Sequence, residues 1–152
     1  MHDAVTLHMD APVERVWSLV TDITRIGEFS PETFEAEWLG DATDAEVGAR
    51  FRGHVKRNQK GPTYWSECLV TNCESNQEFA FAVVAGDRVM NTWGYRLESV
   101  DGGTDVTEWF RLPDNVPSRI YWSLLGWARG KTNRDGMRAT LERMQAVLEQ
   151  GE

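Results

Sequence analysis

Cysteine, histidine and proline are scarce in this 152-residue chain, at two, three and five. Cys68 and Cys73 stand five residues apart in a strand-like stretch. A straight strand would set their Cα atoms ~16 Å apart on opposite faces, against the ~7 Å a disulfide allows. Free thiols, and hence a reducing cytoplasmic setting, are the expectation. No C-x-x-C pair occurs, and His2, His8 and His54 are scattered without an H-E-x-x-H spacing. No metal site is therefore expected. A G-x-S-x-G elbow is missing too. Gly126-Trp127-Ala128-Arg129-Gly130-Lys131-Thr132 comes near a phosphate loop, but it is one residue short between its glycines and follows no strand. The sequence gives no reason to expect a cofactor.

Positive charge is also in deficit. Sixteen basic against 24 acidic residues give a formal net charge of −8. That disfavours a nucleic-acid or anionic-membrane partner, since both need a basic face. No apolar run approaches the ~18 residues of a membrane span. Met1-His2-Asp3-Ala4 lacks a charged-then-apolar leader layout. Arg129, Lys131, Arg134, Arg138 and Arg143 are expected to be a solvated helix face.

Aromatic residues, by contrast, are plentiful. Seven Trp, six Phe and three Tyr make 11% of the chain. They could fill a large core or line an apolar cavity with few polar groups. The length suits one domain, expected over residues 1–152.

The apolar period places the elements. Val5, Leu7 and Met9 alternate with Thr6 and His8, which predicts a half-buried strand over 3–9. Pro12 opens a helix with Val13, Val16, Trp17 and Val20 on one face. Asp22–Phe29 reads as a second short helix, stopped by Ser30-Pro31. Period two then runs through Phe34–Trp38, Phe51–Val55, Thr63–Cys73, Phe79–Val84, Trp93–Glu98 and Val106–Leu112. Short turns join these segments, Asp101-Gly102 being a strong hairpin signal. From Pro117 the pattern is helical, with Met137, Leu141, Met144 and Leu148 at spacings of four, three and four. The order is β-α-α-β-β-β-β-β-β-α: a curved antiparallel sheet of six or seven strands under one long C-terminal helix over about 119–150.

Three stretches carry a family resemblance. They are Ala11-Pro12-Val13-Glu14-Arg15-Val16-Trp17-Ser18-Leu19-Val20-Thr21-Asp22 with Glu28-Phe29-Ser30-Pro31-Glu32; Val47-Gly48-Ala49-Arg50-Phe51-Arg52-Gly53 with Trp65 and Cys68-Leu69-Val70; and Gly136-Met137 with Thr140-Leu141-Glu142-Arg143-Met144. Together they make the chain resemble the START-like SRPBCC superfamily, in its polyketide cyclase/dehydrase and lipid-transport group. The resemblance implies an α+β helix-grip fold. It also implies lipid or polycycle binding, aromatase/cyclase chemistry or chaperone regulation, among which fold does not choose.

The inner sheet face is the remaining constellation. Phe51, Phe79, Phe81, Trp93, Tyr95, Glu108 and Phe110 on the strands, with Trp122 and Leu125 on the helix, are the candidate ligand-binding residues. Glu108 stands alone among aromatics, where a carboxylate must be paired, hydrogen-bonded or raised in pKa. Bonding to Tyr95 or an arginine would make it structural. Left unpaired, it would be a ligand-orienting or proton-shuttling group. Two readings follow: a binding protein for a lipid-like or polyketide-like hydrophobic small molecule, or a cofactor-independent polyketide cyclase or dehydratase. Glu108 and Tyr95 are the catalytic candidates of the second, with Tyr121 and His54 as further acid/base groups. A monomer or a homodimer would serve either. Trp65 differs in parity from Cys68 and Val70, leaving a bulge or an outward ring open.

Overall fold

A computed structural model describes the backbone of residues 2–56, 62–113 and 116–150, and the side chains of all of these except 116–132. The elements are β1 (His2–Met9), α1 (Val13–Thr21), a 3-10 segment (Ile23–Glu28), β2 (Thr33–Trp38), β3 (Arg50–Val55), β4 (Tyr64–Glu74), β5 (Glu78–Ala85), β6 (Arg88–Val100), β7 (Gly103–Arg111) and α2 (Val116–Gln150). This is the order read from the period, with the second short helix wound as a 3-10 segment. The sheet has seven strands in the order β1-β7-β6-β5-β4-β3-β2, every pair antiparallel. Strands β2 to β7 meander, and β1 closes against β7, so α1 and the 3-10 segment carry the chain from one sheet edge to the other. The architecture is the expected α+β helix-grip.

Turn chemistry sets the register. Asp101 and Gly102 both take positive φ, at 50° and 80°, as the two-residue β6–β7 hairpin requires. Asn76 (φ 61°) and Gly86 (φ 63°) turn the neighbouring hairpins. Gly27 has a steric role: a Cβ there would strike the backbone of Phe34, so glycine lets the 3-10 segment press onto β2.

The core lies between the inner sheet face and the two helices. Val16, Leu19 and Val20 of α1 join Met9, Leu97 and Val106 beneath the α2 stripe Met137–Leu141–Met144–Leu148 in one apolar cluster. Arginines fasten α2 around this stripe. Arg134 meets Asp3 of β1 at 2.9 Å, Arg15 of α1 donates to the Leu148 carbonyl at 2.5 Å, and Arg143 donates to the Ser30 carbonyl at 3.4 Å. Arg134 and Arg143 are exposed, as the solvated face expected for them requires, and each also makes one tethering contact. Arg138 is exposed as expected, and the side chains of Arg129 and Lys131 lie outside the description. Residues 126–132 sit within α2, so the near-phosphate-loop stretch is helical.

One expectation about β4 is corrected. The ladder shifts between Val70 and Asn72, so Cys68 faces Val83 and Cys73 faces Phe79. The extra residue resets parity and brings both cysteines to the inner side. Both remain free thiols, and burial raises the Cys68 thiol to about 12.

On the outer face, the Trp109 indole lies flat over Gly94 and donates to Glu78 at 3.1 Å. Gly94→Ala should cost about 1–3 kcal/mol through overpacking against that ring. Leu141, fully buried, should cost about 2–5 kcal/mol on truncation to alanine. Thermal melts of the two variants check both values; a curve overlaying the parent's contradicts the placement concerned.

Candidate functional site

Strand pairing lays the inner face out in rows. Val5, Glu108, Tyr95, Phe79 and Cys73 are successive cross-strand partners from β1 to β4. The next row is Asp3, Phe110, Trp93, Phe81 and Val70. A third is Asn91, Val83, Cys68, Phe51 and Trp38. The sequence reading of this face is therefore correct in parity at all seven predicted strand positions.

The rings interlock. Phe51 packs edge-on to Phe81 at 5.2 Å and to Trp38 at 5.7 Å; Phe79 lies 6.0 Å from Phe81 and edge-on to Trp17 at 6.5 Å. Phe51 and Phe79 are each only 1% exposed. Trp93 stacks obliquely on Phe110 at 4.7 Å and is the least buried ring of the set. Trp122 and Leu125, with Tyr121, fall where side chains are not described, and no placement is given to them.

Glu108 is the chemical centre of this face. It is 5% exposed, and its Oε2 is buried without a hydrogen-bond partner. No hydrogen bond joins it to Tyr95, although the two residues are direct cross-strand partners. Among the described residues, then, neither Tyr95 nor an arginine bonds Glu108. A bare carboxylate here would lack both water and a counter-charge, so burial pushes the Glu108 pKa well above the ordinary carboxylate range. Tyr95 is raised as well, first by its own burial and then by the neighbouring Glu108 charge. Both groups hold their protons more tightly than in water. The pair can donate hydrogen bonds to an acceptor.

Asn91 escaped the sequence reading. It shares the parity of Trp93 and Tyr95 but stands just after a ladder irregularity, where Val83 pairs with Asn91 and Val84 with Val89. Its Oδ1 is buried without a partner. Among the described residues, Asn91 and Glu108 supply the only two such side-chain atoms. Parity counted backwards from Trp93 was the signal available for it.

His54 does not belong to this face. It stacks on Trp65 at 4.2 Å and 10°, pairs with Glu35 at 3.4 Å, and lies on the outer side of β3. Arg52 covers the same Trp65 ring at 4.1 Å. Trp65 is thus an outward ring, as its parity indicated. The bulge in β4 comes later, after Val70. An open depression of about 490 Å³ on the outer face, lined by Glu78, Arg96, Asp105 and others, is charged and contains none of the candidate residues. No cluster able to hold a metal ion occurs among the described residues.

The raised Glu108 carboxyl makes stability depend on pH. Between the ordinary glutamate value and the higher folded value, the folded chain holds a proton the unfolded chain has released. Its contribution is complete below the unfolded value and declines as pH rises, by about 1.4 kcal/mol per pH unit within that window. Glu108→Gln removes this decline. Urea unfolding across the pH range should show the variant gaining on the parent as pH rises; two parallel stability profiles would contradict the assignment.

Comparison with known proteins agrees with this geometry. The family described as polyketide cyclase/dehydrase and lipid transport matches residues 4–149. A crystal structure from Nitrosomonas europaea superposes with a TM-score of 0.74 at 14% identity, covering 99% of this chain and 96% of that one. One from Mycobacterium smegmatis gives 0.69 at 18%, covering 99% and 92%. A polyketide cyclase-like protein of Corynebacterium glutamicum, solved by NMR in solution, gives 0.60 at 27%, covering 97% and 91%. No curated protein matches the sequence. With the family profile spanning nearly its whole length, and the helix-grip architecture beneath it, this chain belongs to the polyketide cyclase/dehydrase and lipid-transport family of START-like proteins.

Proposed function

We propose that the protein binds a hydrophobic small molecule, lipid-like or polyketide-like, between the inner sheet face and the C-terminal helix. The observation that carries this reading is Glu108: a carboxyl group on an aromatic face, buried, its Oε2 without a partner among the described residues. A group left in that state costs about 1–3 kcal/mol or more, which a bound polar atom would offset. The surroundings support the same reading. The half-buried Trp93 and the buried Phe110 and Phe81 set apolar rings beside a convergent polar group, the composition of a small-molecule site.

Titration with apolar ring and acyl-chain probes, followed by tryptophan fluorescence, tests it. Saturable binding with Kd below about 1 mM is expected, weakened about fivefold or more by Trp93→Ala. Probes that fail to bind the parent would refute the reading.

A second reading, a cofactor-independent cyclase or dehydratase, draws on the facing Glu108 and Tyr95. A carboxyl kept neutral by burial can act as a general acid toward a carbonyl or departing hydroxyl oxygen. If Glu108→Gln abolishes turnover of a poly-β-ketone mimic and leaves its binding intact, this reading replaces the first.

A further inference from the structure

The two unpartnered buried side-chain atoms among the described residues lie on one face. Asn91 and Glu108 both point to the inner face, from adjacent strands β6 and β7. Trp93 and Phe110, cross-strand partners in contact at 4.7 Å, form the row between them. Asn91 precedes Tyr95, the partner of Glu108, by four residues, which is about 13 Å of strand. The face thus presents polar group, aromatic surface, polar group in a line. Buried polar groups are nearly always satisfied, so two exceptions on one face call for a shared explanation.

We infer that the ligand is an uncharged, elongated molecule with an oxygen function at each end, one end bonded by Asn91 and the other by Glu108, its apolar body lying on Trp93 and Phe110. This deepens the binding reading and rests on it. The Asn91 amide carries both a donor and an acceptor, so a hydroxyl or a carbonyl suits it. A protonated Glu108 donates to a carbonyl or hydroxyl oxygen and accepts through its other oxygen. Lack of charge is argued from the strands. The inner-face positions of β5, β6 and β7 within 79–83, 91–97 and 104–110 include no lysine or arginine. A ligand anion would meet no counter-charge on these strands and would lie close to a carboxyl group. Two sources share this chemistry: an acyl chain oxygenated at both ends and an oxygenated multi-ring body.

Matched probe pairs decide it. Decanediol against decanol represents the chain, and biphenol against phenylphenol represents the rings; each pair differs by one terminal hydroxyl. Calorimetric or fluorescence titration of the parent should show the two-ended member of at least one pair binding about tenfold more tightly. Whichever pair shows the gap identifies the source. Asn91→Leu and Glu108→Leu should each erase that gap, the two-ended probe then binding no more tightly than the one-ended one. Decanoate should bind more weakly than decanediol. If one-ended and two-ended probes bind alike, or decanoate binds best, this inference fails while the binding reading stands. If no apolar probe binds, both fail. The parent comparison decides even where a leucine variant does not fold.

Discussion

A seven-stranded antiparallel sheet with one apolar face must have that face covered, and in this chain α2 and α1 cover it. The stripe Met137–Leu141–Met144–Leu148 repeats at helical spacing and is buried along its whole length. Against it stand Val16, Leu19 and Val20 of α1 and the inner residues of β1, β6 and β7. This stripe spans about 18 Å of the helix at 1.5 Å per residue. The arginine tethers to Asp3, Ser30 and Leu148 all fall on the same C-terminal part of the helix. Packing together with three arginine contacts holds the described part of the helix to the sheet and to α1.

Given that grip, the polar residues of the inner face become informative. A packed core has no reason to keep a carboxyl group without a partner, because an apolar side chain of the same volume would be more stable. Elsewhere the chain satisfies its buried polar groups with care. The Thr104 hydroxyl donates to the Ala11 carbonyl at 2.8 Å, and the Thr140 hydroxyl to the Gly136 carbonyl at 2.9 Å. Glu108 and Asn91 break that habit together, on either side of the Trp93–Phe110 row. Local rules of this kind are most often broken where function demands it.

The fold was largely legible in the sequence because its periods are clean. Strands alternate at two, α2 repeats at four, three and four, and Asp101-Gly102 announces its hairpin. The inner face could be listed from Phe79, Phe81, Trp93, Tyr95, Glu108 and Phe110 because no ladder irregularity lies between the paired members. Legibility stopped where the ladder slips. The shift after Val70 reversed the expected facing of Cys73, whereas Asn91 stands in register with Trp93 and was open to the same parity count. Whether Glu108 would find a partner was also beyond the sequence. That depends on which side chains converge in space, and β6 and β1 bring it Tyr95 and Val5, with no hydrogen bond to either. Arg134 and Arg143 show the same limit from the other side, since helical charge alone did not reveal their tethers.

The most direct measurement is the protonation state of Glu108, followed by the carbon NMR signal of its side-chain carboxyl, with Glu108→Gln to assign it. The account predicts a carboxyl that keeps its proton to a pH well above that at which exposed glutamates titrate, near 4.3. A Glu108 signal that titrates alongside those surface carboxylates would mean the group is solvated or paired. It would contradict the claim that this face holds an unsatisfied acid awaiting a ligand.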